Sequence, residues 1–260
     1  MLLVLGLLAA APLEAQLPPS PSDLISGQEL IYRGRFGAAH LYFTELMAER
    51  PREAAPAALA ASALIWWAEA RDEETWLADS VDALLEAAVA RGRLAADSAI
   101  TGAQKAEALF WLGTALGYRA RQAELRGAFW RAAQDAKAMR QALDEAVLLD
   151  STCVDCLLGI AVYEYALARA GAVARLVARI IGLGGGDAER ALAMMRRVAD
   201  EGLYGRTEAR WVYANALLRE GERDAALREE GRRLIGELAL QFPENPAFTR
   251  AAQSPAPEPR

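Results

Sequence analysis

Residues 27–51, GQELIYRGRFGAAHLYFTELMAERP, contain the spacing that decides the fold. Gly27 allows two backbones to approach closely, and Gly34, seven positions later, suits a turn between two helices. Ala39 and Phe43 are i,i+4 neighbours and therefore share one face of the second helix. Proline ends the unit. The full set of spaced positions is Gly27, Gly34, Phe36, Ala39, Phe43 and Pro51. This pattern predicts a pair of antiparallel helices.

The same six positions resemble one tetratricopeptide repeat, in which a small residue on helix A, a turn glycine and an alanine–aromatic pair on helix B recur at this spacing. A narrower likeness starts at Leu158-Gly159 and includes Tyr163 and Tyr165, an apolar insertion and Gly-Gly-Gly-Asp187. That segment resembles repeat proteins of the mitochondrial outer-membrane and tetratricopeptide-39 type and similar bacterial chains. The resemblance implies a surface that binds other molecules rather than a reaction.

The composition favours an all-α chain. Hydrophobic residues make up 53% of the 260 residues but aromatics only 7%, and much of the excess is alanine, the best helix former. No long segment alternates apolar and polar residues as a half-buried strand does. The net charge of −6 argues against a nucleic-acid partner.

The repeats divide the chain into about five helix pairs, which together form an α-solenoid over residues 23–250. Thr101 to Gln104 forms a capping-box pattern that opens the third pair. We expect its returning helix over Ala123–Leu149. Residues 171–186 interrupt the fourth pair, and Asp187 is placed to cap the helix that follows. The Gly-rich end of this insertion fails nucleotide-binding spacing and predicts a flexible turn.

The two ends of the chain lack the helix-pair pattern of the repeats. Residues 1–15 form a short apolar run that ends in small residues and predicts a cleaved signal peptide, with a buried first helix as the alternative. No cysteine follows that run, which argues against a lipid-modified N-terminus. Residues 16–22 are expected to be a linker and residues 251–260 a disordered tail. We therefore expect a periplasmic or secreted protein.

Few residues suggest chemistry. Cys153 and Cys156 form a C-x-x-C pair, for which we prefer simple packing to a structural disulfide or a redox role. With His40 as the sole histidine, a metal site lacks ligands. No nucleophile, base and orienting group stand at motif spacing, so we expect no catalytic residue and no cofactor.

The insertion predicts a short amphipathic helix. Leu176 and Ile180 lie on its apolar side, and Arg175 and Arg179 are i,i+4 neighbours on another side. Such a helix can cover the solenoid groove as a lid or lie on an anionic membrane surface. We favour the lid because the helix is short and carries few arginines.

Aromatic residues concentrate on the first helix of each pair, which lines the concave face of a solenoid. They are candidate anchors for a protein or peptide partner, although half or more of them are expected to belong to the core: Trp66, Trp111, Tyr118, Tyr163, Tyr165, Trp211 and Tyr213. The leading hypothesis is a non-catalytic interaction scaffold, and the alternative is a carrier of a hydrophobic small molecule or lipid. An open, charged groove would favour the scaffold, and a dry apolar cavity would favour the carrier.

Overall fold

Helices and short turns account for the chain in a computed structural model that describes residues 21–171, 178 and 182–254. Within these ranges the helices pack in consecutive pairs, as in an α-solenoid, which confirms the all-α prediction. They are α1 (Pro21–Tyr32), α2 (Phe36–Glu49), α3 (Ala54–Arg71), α4 (Ala78–Ser98), α5 (Gly102–Leu125), α6 (Phe129–Leu149), α7 (Cys156–Arg169), α8 (Ala188–Glu201), α9 (Arg206–Glu220), α10 (Ala225–Gln241) and α11 (Pro246–Gln253).

The first pair has the close packing that its glycines predict. A Cβ on Gly27 would lie 2.6 Å from Cε1 of Phe43, so only glycine allows α1 and α2 to approach this closely. Gly34 has φ +74° and makes the turn between them. Ala39 and Phe43 are fully buried on the inner face of α2.

The middle of the solenoid repeats this arrangement around one leucine. Leu143 of α6 lies against Gly113 of α5 and Gly159 of α7, and a Cβ on either glycine would come within 2.6 Å of its side chain. Thr101 and Gln104 form the expected capping box at the start of α5. The predicted start of the returning helix at Ala123 is wrong, because α5 continues to Leu125 and the chain then turns at Gly127, whose φ is +73°.

The two ends of the solenoid meet, so the superhelix closes on itself. The fully buried Asn245, which caps α11, donates from Nδ2 to the carbonyl of Tyr32 at 3.0 Å. Arg250 of α11 donates to the carbonyls of Glu69 and Ala70 at 2.7 and 3.1 Å, where α3 ends. These bonds satisfy carbonyl groups at the C-terminal end of α3, of which that of Glu69 also accepts from the N–H of Asp72.

The outer segments differ slightly from their predicted bounds. Helix α1 begins at Pro21 and so includes the last two residues assigned to the linker, and α11 includes the first residues assigned to the tail. The predicted signal peptide lies outside the described residues. No helix among those described is long and apolar enough to cross a membrane.

The insertion returns to the solenoid along α7. The hydroxyl of Tyr163 donates to the carbonyl of Leu183 at 2.6 Å, and Gly186 lies directly against the backbone of α7 at Glu164. Gly182 and Gly184 both have positive φ, and Asp187 accepts from the N–H of Arg190, which confirms the predicted turn and cap. The predicted lid residues Leu176, Ile180, Arg175 and Arg179 lie outside the described residues.

Cys153 and Cys156 form a disulfide across the start of α7. The preferred expectation of two packed thiols is therefore wrong, and the disulfide alternative holds. The turn before α7 brings the two Cα atoms to 5.5 Å, within the range that a disulfide requires. Cys156 is fully buried, so it also packs in the core.

Candidate ligand cavity

The inner side of the solenoid holds a cavity of about 560 Å³ that is partly open to solvent. Its walls come from α3, α5, α6, α7 and α9, with Gln28 of α1 and Leu183 of the insertion at its edge. Most of the lining is aliphatic or aromatic. The aromatic members are Trp66, Phe110, Trp111, Tyr118, Tyr163, Tyr204 and Trp211.

The structure brings five of the seven predicted aromatic anchors to this cavity: Trp66, Trp111, Tyr118, Tyr163 and Trp211. Of these, Tyr118 and Trp211 are partly exposed and the others are buried. Tyr165 and Tyr213 are buried away from the cavity, in a cluster that joins α7, α8 and α9. Most of these side chains therefore belong to the interior, and a role in partner binding stays a prediction.

Aromatic contacts across the solenoid hold the cavity walls together. The rings of Trp66 on α3 and Trp211 on α9 have centroids 5.9 Å apart, although 145 residues separate them. On the opposite wall Tyr204 lies 5.2 Å from the ring of Trp111 and stacks on Phe110 at 6.1 Å. Pairs at these distances stabilise the fold beyond the area that they bury.

One of the carboxylates that line the cavity, that of Glu208, lies close to these aromatic residues. Glu208 stands in the first turn of α9 and accepts a 2.6 Å hydrogen bond at Oε2 from the hydroxyl of Tyr118 on α5. Ser62 of α3 lies 3.3 Å from the same hydroxyl. Burial raises the pKa of Glu208 above its ordinary value, while the bond from Tyr118 and the charge of Arg121 act in the opposite direction.

The charged residues that line the cavity are mostly acidic. Among the described residues they are Glu69, Glu124, Asp155 and Glu208, with Arg121 as the single cation. Arg121 is paired already, with its Nη2 at 3.0 Å from Glu69 and 3.6 Å from Glu74. The described part of the walls therefore carries a net negative charge.

Asp155 stabilises the turn before α9 at the cavity edge. Its carboxylate accepts hydrogen bonds from the backbone N–H groups of Leu203, Tyr204 and Gly205, at 3.0, 3.3 and 2.8 Å. These bonds fix the turn that delivers Tyr204 and α9 to the cavity. Burial, with a smaller contribution from the charges of Glu107 and Asp155, raises the pKa of Tyr204 to about 12, so its phenol stays neutral at ordinary pH.

Glu208, Tyr204 and Phe110 were missed as site residues in the sequence. Glu208 stands three positions before Trp211 on the first helix of its pair, so both lie on the same face of that helix, which the aromatic pattern predicts to be the concave one. A glutamate in the first turn of a helix is usually a solvated residue that complements the helix dipole, which hides this signal.

The described residues include no group of three or more His, Cys, Asp or Glu side chains that could hold a metal ion. Comparison of the chain with protein-family models, with curated proteins and with solved structures finds no match. The cavity itself is thus the observation from which function has to be argued.

Proposed function

We propose that this protein is a non-catalytic carrier that holds an apolar small molecule in its central cavity. The observation that supports the proposal is the cavity of about 560 Å³, lined by seven aromatic side chains and bounded by helices from both halves of the chain. Its volume lies within the range of about 300–1,000 Å³ that is typical of small-molecule sites.

The closure of the solenoid favours the carrier over the peptide-binding scaffold. A groove that binds an extended peptide needs its aromatic anchors exposed along an open concave face. Here Trp66 of α3 and Trp211 of α9 contact each other instead. One feature still supports a scaffold role. Phe129 and Trp130 at the start of α6 are 69% and 63% exposed, and exposed apolar side chains can mark a protein-binding surface.

The tetratricopeptide type and the secreted location belong to the same proposal. The close approach at Gly27, the turn at Gly34 and the buried Ala39 and Phe43 support the repeat type. The disulfide at Cys156 supports an oxidising compartment, because such bonds are rare where thiols are kept reduced.

Calorimetric titration with 1-decanol tests the carrier function. Val162 of α7 lines the cavity and is 40% exposed, so Val162→Trp should fill part of the space without crowding the core. Leu148→Trp is the matched control, because Leu148 is 85% exposed and does not line the cavity. We expect one decanol per chain for the wild type and the control.

The Val162→Trp variant should lose decanol binding while its thermal unfolding stays close to that of the wild type. Equal binding by both tryptophan variants would contradict the cavity as the binding site. An absence of decanol binding to the wild type, with binding restored by no other alkyl chain length, would contradict the carrier function itself.

A further inference from the structure

From the described residues Glu208 accepts one hydrogen bond, although a carboxylate can accept about four. Tyr118 donates to Oε2, and none of the residues described donates to Oε1. Glu208 is only partly exposed, so its charge is incompletely hydrated and a nearby cation or further donors would stabilise it. Within the described part of the chain, the cavity offers no such compensation beyond Arg121.

Arg121 is not free to neutralise the cavity. Its guanidinium is shared between Glu69 and Glu74. Asp155 is committed to three backbone N–H groups, but those groups are neutral and leave its charge in place. A positive charge on the bound molecule would therefore be attracted to the Glu208 end of the cavity.

The aromatic walls suit the same kind of charge. The face of an indole or phenol ring carries partial negative charge and attracts a cation within about 6 Å, most strongly when water is excluded. Three tryptophans and three tyrosines line this cavity together with Glu208. Trp211 stands on the same face of α9 as Glu208, three residues further along.

We propose that the natural ligand is an amphiphile whose positively charged nitrogen, an amine or a quaternary ammonium group, lies near Glu208 while its apolar body fills the aromatic cavity. This inference rests on the proposed carrier function and specifies its ligand class. An anionic amphiphile such as a fatty acid would place like charge against the acidic walls and should be excluded.

Three probes with the same alkyl chain separate the charge from the apolar body: decyltrimethylammonium, 1-decanol and decanoate, each titrated below its micelle concentration. We expect the wild type to bind the cation about tenfold more tightly than decanol, and decanoate more weakly than either. The variant Glu208→Gln keeps the shape of the side chain and an acceptor for Tyr118 but removes the charge. It should lose the preference for the cation and keep its affinity for decanol.

Glu222→Gln serves as the matched control, because Glu222 is exposed in the turn between α9 and α10 and makes the same change in net charge. It should retain the preference for the cation. Equal affinities of the wild type for decyltrimethylammonium and decanol, or an unchanged preference in a folded Glu208→Gln variant, would overturn the cationic ligand and leave the carrier function standing. Failure of the wild type to bind these three probes and their analogues with other alkyl chain lengths would overturn both.

Discussion

The close contact between α1 and α2 makes a quantitative prediction for Gly27→Ala. A Cβ at this position would lie 2.3 Å from Cζ of Phe43, whereas unstrained carbon atoms lie about 3.5–4.0 Å apart. Phe43 is fully buried, so its ring cannot move aside into solvent. Overpacking of this kind costs about 1–3 kcal/mol, against a gain of about 1 kcal/mol from replacing glycine within a helix. The net expectation is a destabilisation of about 0–2 kcal/mol.

Gly236→Ala is the matched control for the helix-propensity gain. Gly236 lies within α10, and no atom would come within 4 Å of an added Cβ. This variant should be about 1 kcal/mol more stable than the wild type. Urea denaturation followed by far-ultraviolet circular dichroism measures both free energies of unfolding. The two variants should differ by about 1–3 kcal/mol, with Gly27→Ala the less stable.

The steric origin of that difference can be examined separately. Phe43→Leu removes the ring atoms that an alanine at position 27 would meet, so Gly27→Ala should cost less in the Phe43→Leu background than in the wild type. If Gly27→Ala and Gly236→Ala stabilise the protein equally, the two helices are not in the close contact described here, and the reasoning from the glycine spacing fails.

Three further changes have expected outcomes that differ in kind. Asn245→Ala removes the cap of α11 and leaves the carbonyl of Tyr32 without its donor. The free energy of unfolding, measured by urea denaturation, should therefore fall by about 2–4 kcal/mol. An unchanged midpoint would mean that the two ends of the solenoid do not meet at this bond. Burial raises the pKa of the Glu53 carboxyl group to about 7, above its value in the unfolded chain. Protonation of Glu53 therefore stabilises the fold. This stabilisation is complete below the unfolded pKa and is lost as the pH rises through 7. Because Glu53 is partly exposed and solvent screens its charge, Glu53→Gln should be more stable than the wild type by only about 1–2 kcal/mol near pH 8 and equal to it near pH 4; a constant difference at both pH values would rule out titration of Glu53 as the cause. The bond between Cys153 and Cys156 closes only a very short loop, so its reduction should cost only about 2 kcal/mol, visible as a lower thermal midpoint that returns on reoxidation; complete unfolding on reduction would contradict this expectation.

The sequence predicted those parts of the fold that depend on neighbours along the chain. The glycine and alanine positions of the first pair, the capping box at Thr101 and the turn before Asp187 are local devices, and each lies where its spacing indicates. The bound of α6 was wrong because a long apolar pattern runs through α5 and α6 and does not mark the turn at Gly127.

The closure of the solenoid and the cavity could not be predicted in the same way. They depend on the small rotation between successive pairs, which accumulates until Trp211 reaches Trp66. The spacing of residues along one helix pair does not determine this accumulated rotation. Glu208 acquires its significance only through the same closure, because the hydrogen bond from Tyr118 joins residues that are 90 positions apart.

A double-mutant cycle on Tyr118 and Glu208 is the most direct measurement of the closed solenoid on which the cavity depends. Tyr118→Phe removes the donor, Glu208→Leu removes the acceptor, and urea denaturation of both single variants and the double variant gives their coupling energy. The 2.6 Å bond between α5 and α9 predicts a coupling of about 1.5–3 kcal/mol, the usual range for a hydrogen bond to a charged group. Free energies that add to within about 0.3–0.5 kcal/mol would show that the two side chains do not meet, and would contradict the closure.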